Sequence, residues 1–274
     1  MNNKTIFYHI ALTDEVSSWI YVFLDQMREL TDSNLLQKTN KIFICAVGNK
    51  SNIQIISEYV QLFCNIYHKD IIFNYIEKPY DDDELLNINQ STKVIVEDFT
   101  LDIIWNYVKN LNENEHIMYM HSKGITGVKR LIENEEQKSY FSFLCVQNWR
   151  KFLEWGVIEN YEKCCNALTT HDTAGVNWSF WPTPHYSGNF WWANSDYLKT
   201  LSDPKNGDWW INIRNTKYSS LTYLPDRLKD ELWIGSNNPK FFSLYDHPMP
   251  PPHSNLGQTI IKRTEYCDEG KNNA

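Results

Sequence analysis

Nowhere in the 274 residues is there an apolar run approaching the roughly 20 residues needed to cross a bilayer as a helix. The sequence also lacks a basic block. Its 26 lysines and arginines are dispersed among 34 acids, for a net charge of -8. A nucleic-acid binder needs a positive footprint to neutralise phosphates, so that class is excluded. A small phosphorylated ligand, which needs only one or two cations, is not. Zinc spacing is missing from the six cysteines, Cys45, Cys64, Cys145, Cys164, Cys165 and Cys267. Neighbours Cys164 and Cys165 do not readily pair with each other, so free thiols in a reducing compartment are expected. The opening "MNNKTIFYHIALTDEV" has too short an apolar run for a signal peptide, and acids follow at once. No internal repeat is found. The expectation is a soluble, cytoplasmic protein with no transmembrane segment and no nucleic-acid partner.

A large core is affordable: 42% of residues are hydrophobic and 15% aromatic, with 11 Trp and 16 Tyr. Aromatic faces can stack on rings, but core filling is their commonest use. The length suits one large domain.

The first half alternates between two periodicities. Strand-like runs at 5–12, 41–48, 70–77 and 115–124 are separated by helix-like stretches at 17–36, 51–67 and 92–111, the second with Ser51 as N-cap. Such alternation predicts an α/β fold, a mainly parallel sheet with helices on both faces. Ligands then sit beyond the carboxyl ends of the strands. The second half opens with a long helical stretch, 135–168, broken near Gly156. It continues with a strand at 172–179, a turn and helix around "NSDYLKTL", and a short helix at 226–235. The tail from 246 is proline-rich and read as extended.

Three stretches carry candidate chemistry. "MYMHSKG" delivers His121, Ser122, Lys123 and Gly124 to the carboxyl edge of the sheet, where a lysine suits a phosphate. In "HYSGNFWWANSDYL", Gly188 allows close backbone approach, Asn189 can donate and accept to hydroxyls, and His185 stands just upstream. Trp191 and Trp192 alternate sides in an extended chain, so one faces the ligand and the other packs inward. "KDELWIG" brings Asp230 and Glu231.

The stretches "EDFTLDIIW" (97–105), "YMHSKG" (119–124), "HYSGNFWWA" (185–193) and "ELWIG" (231–235), supported by "NWR" and "DTAGVNW", resemble the GT-A-type nucleotide-sugar glycosyltransferases of bacteria, algae and large viruses. The resemblance spans about half the chain. It implies a single GT-A-like domain, with 1–130 as the nucleotide-sugar half, 131–245 as the acceptor half and 246–274 as the tail. The partners would be a nucleotide-sugar donor, most readily a UDP-sugar, and a glycan or glycoconjugate acceptor. Donor contacts would come from Ala11, Leu12, Thr13, His121, Ser122, Lys123 and Gly124. Acceptor contacts would come from His185, Gly188, Asn189 and one of Trp191 and Trp192. Glu231 would be the general base of an inverting transfer, with Asp230 as alternative and Asp172 in reserve.

The sequence departs from that pattern in one respect. Where such enzymes carry a DxD motif for Mn²⁺ or Mg²⁺, this chain has His121, Ser122 and Lys123. Either Lys123 neutralises the leaving diphosphate, or His121 joins donors such as Asp81–Asp83, His247 and His253 around a metal. A non-catalytic carbohydrate-binding module would also account for the tryptophans. A metal hydrolase built on His121, His171 and His185 has no supporting spacing.

Overall fold

The computed structural model describes residues 2–13, 16–77, 97–123, 137–206, 209–211, 228–246 and 262–267. Nine strands are described: β1 Lys4–Leu12, β2 Lys41–Gly48, β3 Ile71–Glu77, β4 His116–His121, β5 Thr173–Gly175, β6 Trp178–Ser179, β7 His185–Tyr186, β8 Trp191–Asn194 and β9 Phe241–Ser243. Seven of them form one sheet in the order β3-β2-β1-β4-β8-β5-β9, while β6 and β7 form a separate antiparallel pair. Strands β1 to β4 run parallel; β8 is antiparallel to both β4 and β5, and β5 is parallel to β9. The fold is thus α/β with a mostly parallel central sheet. Its strands come from both halves of the sequence, joined at β4 and β8.

The parallel half follows the sequence closely, because strands buried on both faces read as continuous apolar runs. Helix α1, Val16–Asp32, stops where Asn34 turns left-handed, φ 62°, before the short α2, Leu35–Lys38. Helix α3, Lys50–Tyr67, begins one residue earlier than expected. Its N-cap is Asn49, whose side chain accepts from the Asn52 N–H, and not Ser51. Helix α4 spans Asp98–Lys109. The long helical stretch splits into α5, Gln137–Glu154, a π-helical turn Trp155–Glu159, and α6, Tyr161–Ala167. Gly156 lies in the π-helical turn and is packed closely: a Cβ there would stand 2.4 Å from a Val176 methyl.

The second half departs further. Strand 172–179 is two pieces, interrupted at Asn177 with φ 57°. The aromatic stretch expected as a turn leading to a helix is β8, an internal strand of the sheet. A short helix, α7 Ser195–Leu198, follows it. The 226–235 segment is α8, Leu228–Leu232, running into a 3₁₀ turn Trp233–Gly235; residues 226 and 227 lie outside the described set. Within the tail, Arg263–Cys267 is helical (α9), and Tyr266 is buried against Phe152 and Trp155.

Two apolar cores flank the sheet. One packs Tyr8, Ile10, Met118 and Trp192 against α1, α3 and α5; the other packs Phe7, Tyr119 and Trp191 against α4 and Trp233. The first core contains a buried ion cluster. Arg150, fully buried, donates to Asp25 at 2.8 Å and to Glu154 at 2.9 Å, and Lys151 reaches Asp25, Glu29 and Glu154. This is the role of the arginine in "NWR": it ties α5 to α1. No helix among the described residues is long and apolar enough to cross a membrane.

Arg150→Ala would leave two carboxylates of this cluster short of their buried partner. The expected cost is about 3–5 kcal/mol, or about 10 °C in Tm. A urea titration showing less than about 1 kcal/mol would remove the cluster as a stabilising tie. The histidines predict acid sensitivity. Burial pushes His9 and His116 down to about 4, so both fold as neutral rings. A folded value below the unfolded one contributes stability that is complete above the unfolded value, about 6.5. That contribution is lost as pH falls through the folded value. The urea midpoint should therefore drop between pH 6.5 and pH 4, with a shallower drop in the His9→Gln, His116→Gln double variant.

Candidate active site

Strands β1 and β4 end side by side, with His9 in register with His121. Alternation puts both rings on the sheet face covered by α4. The His9 Nδ1 pairs with the Thr100 hydroxyl in the first turn of α4 at 2.7 Å. Just beyond β4, the Ser122 hydroxyl accepts the Ala11 N–H at 3.1 Å, and Gln26 donates to the His121 carbonyl. The two strand ends are thereby locked together before any ligand arrives.

Glu97, immediately ahead of α4, is the hub on that face. One carboxylate oxygen accepts from the Tyr119 hydroxyl at 2.8 Å and the Asn189 amide at 2.7 Å. The other lies 3.9 Å from His121 Nδ1. Burial pushes the Glu97 carboxyl up, but His121, His9 and the two donors outweigh it and hold it below the usual range. Burial also lowers both histidines, so each is mainly neutral near pH 7. The hydrogen bonds from Tyr119 and Asn189 are therefore the dependable part of what keeps Glu97 ionised. Tyr119 holds its proton, since burial and Glu97 raise its hydroxyl well above the ordinary value.

The backbone of Gly188 joins the segments. Its N–H donates to Glu231 Oε1 at 2.5 Å, and its carbonyl accepts from His121 Nε2 at 3.0 Å. A carbonyl can only accept, so His121 carries a proton on Nε2 and turns Nδ1 toward Glu97. Gly188 has φ 94°, and a Cβ there would stand 2.6 Å from Leu153. Only glycine meets both conditions. Asn189 follows, also left-handed at φ 56°; its carbonyl oxygen accepts from the Trp191 indole while its amide holds Glu97.

Asp230 and Glu231, adjacent in sequence, differ in environment. Burial, a hydrogen bond with Asp98 and the charges of Asp98 and Glu97 push Asp230 well above the ordinary carboxyl value. Asp230 is thus the carboxyl that favours its protonated form, and Lys229 sits 3.4 Å from Asp98. Glu231 is half-buried, with Oε1 held by the Gly188 N–H. The Lys123 ammonium lies 3.8 Å from the centre of the Trp149 ring, and Trp149 also borders Gly188. A cation–π contact of this kind fixes a lysine head without neutralising it.

Six expected residues therefore converge: His121, Lys123, Gly188, Asn189, Asp230 and Glu231. Others do not. Leu12 is fully buried in the first core against Gly48, and Thr13 is buried with its hydroxyl on Ser18 and its carbonyl on Asn52. Neither side chain can meet a donor; Ala11 stays half-buried at the strand end. Ser122 serves the Ala11 backbone. Gly124 lies outside the described residues. His185 is buried, its Nδ1 on the Thr183 carbonyl at 2.7 Å, a local tie in the β7 hairpin and not an acceptor contact. The tryptophan expectation is corrected as well. Trp191 and Trp192 do point to opposite faces, but both are 0% exposed, because β8 lies between β4 and β5 with each face covered. Trp192 donates to the Val157 carbonyl. Asp172 accepts the Lys240 N–H and does structural work on the far strand.

Among the described residues, no group of three or more His, Cys, Asp or Glu side chains is placed to hold a metal ion. His121 commits Nε2 to Gly188, and His171 and His185 each bond to their own neighbourhood. The described donor set does not fit a divalent ion. Asp81–Asp83, His247 and His253 lie outside the described residues. Sequence reading assigned no role to His9, Thr100, Tyr119 or Glu97. The signals were present, since Glu97 opens "EDFTLDIIW" and His9 sits near a strand end, but an isolated acid and histidine have many uses.

No curated protein matches the chain in sequence. The family model for a domain of unknown function, DUF8361, matches residues 7–238, most of the chain and nearly all of the sheet and site described above. The chain belongs to this DUF8361 family.

Proposed function

We propose that the protein is a glycosyltransferase of GT-A-like architecture. In this reading it transfers a sugar from a nucleotide diphosphate donor, most readily UDP-linked, to a glycan hydroxyl with inversion. One observation carries the reading: the Gly188 backbone draws the strand-end His121 and the Glu231 carboxylate to one point beyond the parallel strands. That is where an α/β sheet receives a ligand. Three of the four segments that resemble the glycosyltransferase pattern are thus held together by direct bonds.

The roles follow from the chemistry. The acceptor oxygen attacks the anomeric carbon while the bond from that carbon to the diphosphate oxygen breaks, its electron pair leaving with the diphosphate. Glu231 takes the acceptor proton. Asp230 is the poorer base, because burial and the acids beside it favour its protonated form. Lys123 offsets the charge that grows on the diphosphate. Asn189, His121 and Glu97 position these groups.

Glu231→Gln should lower turnover by at least about 100-fold, within the range of a lost general base, while nucleotide-sugar affinity changes little. Asp230→Asn should keep most of the activity and match or exceed wild-type stability at pH 8, since the raised carboxyl value of Asp230 costs stability as pH rises through it. Turnover in radiolabelled transfer assays, with thermal melts beside them, decides. Full activity in Glu231→Gln, or loss confined to Asp230→Asn, would reverse the assignment. A thermal-shift panel with UDP-, GDP- and dTDP-sugars, with and without Mn²⁺, should show a UDP-sugar shift that Lys123→Ala weakens. The absence of a shift with every nucleotide would favour a carbohydrate-binding module without catalysis.

A further inference from the structure

The buried state of Trp191 and Trp192 leaves the acceptor side without the aromatic face first assigned to it. The β6–β7 hairpin supplies another. Phe180 and Trp181, in its loop, are 66% and 46% exposed. They are nevertheless anchored. The Ser179 hydroxyl pairs with both the N–H and the carbonyl of Trp181, at 3.2 and 3.0 Å. Phe180 stands edge-on to Trp178 and to Phe241, which stack on each other at 4.4 Å. Burying a ring favours folding, so two adjacent rings held outward need an explanation.

Position gives one. The loop ends at Pro184, whose carbonyl oxygen presses so closely on Gly235 that a Cβ there would stand 1.6 Å away. Gly235 closes the 3₁₀ turn directly after the helix that carries Glu231. Trp181 to Pro184 spans at most about 11 Å of chain, and Glu231 to Gly235 rises about 6–8 Å. With the step of about 5 Å from Pro184 to Gly235, Trp181 is therefore within about 25 Å of Glu231, on the order of the length of a short oligosaccharide. The segment 179–186, "SFWPTPHY", has no charged residue, which suits a neutral ligand.

We propose that Phe180 and Trp181 form a stacking platform for a sugar ring of a neutral glycan, the outer part of the acceptor. The assignment of that glycan as acceptor rests on the glycosyltransferase reading; the stacking itself does not. Aromatic faces bind the apolar C–H faces of sugar rings, and a ring already fixed in place loses little entropy on binding.

The test is calorimetric titration of the full chain with cellotetraose, maltotetraose, chitotetraose and laminaritetraose. At least one should bind, Trp181→Ala should weaken it by about tenfold or more, and Trp181→Phe should restore most of the loss. Trp181→Ala should melt within about 3 °C of wild type, since the residue is half exposed. Wild-type binding that Trp181→Ala leaves unchanged would overturn the platform, as would no binding of any of the four at about millimolar concentration. Nucleotide-sugar binding by the wild type is scored separately. Its absence, with tetrasaccharide binding intact, would overturn the transferase reading and leave the platform standing.

Discussion

The candidate site depends on the backbone of Gly188. Its N–H holds Glu231 and its carbonyl holds His121. Both hydrogen bonds need the backbone to pass at φ 94° with no Cβ, because Leu153 and Trp149 fill the space a side chain would take. A left-handed Asn189 completes the bend and hands its amide to Glu97. Two residues of unusual backbone thus set the positions of a histidine, two carboxylates and an indole drawn from four parts of the chain.

Around that bend, charge is managed by environment. The carboxyls of Glu97, Asp98, Asp230 and Glu231 gather close to one another, and uniform ionisation would be costly in a half-dry site. Glu97 is kept ionised by two donors, while burial and the neighbouring acids favour the uncharged form of Asp230. Neighbouring acids in "KDELWIG" are thereby given different chemistry. Behind the site, Arg150 and Lys151 neutralise Asp25, Glu29 and Glu154, fixing α5, which carries Trp149 beneath the Lys123 ammonium.

The parallel half was legible because its rules are local. Apolar β-branched runs make buried strands, amphipathic runs make helices, and the carboxyl edge follows from the alternation. His121 and Lys123 were placed correctly on that ground. The second half was read less well. Its strands are two to four residues long, too short for a periodicity to declare itself, and β8 resembles a turn until its partners are known. The N-cap slipped from Ser51 to Asn49 because both residues are good caps and only the geometry chooses.

The sequence by itself determined the α/β class and the strand ends beside which the candidate site lies. Tertiary structure decided which residues could use that edge. It buried Trp191 and Trp192 by inserting β8 between β4 and β5, and it withdrew Leu12, Thr13 and His185 into structural ties. It added Glu97 and His9, and it separated Asp230 from Glu231. The physical reason is the same in each case. Burial, hydrogen-bond partners and neighbouring charge are set by residues far apart in the chain, and no local pattern carries that information.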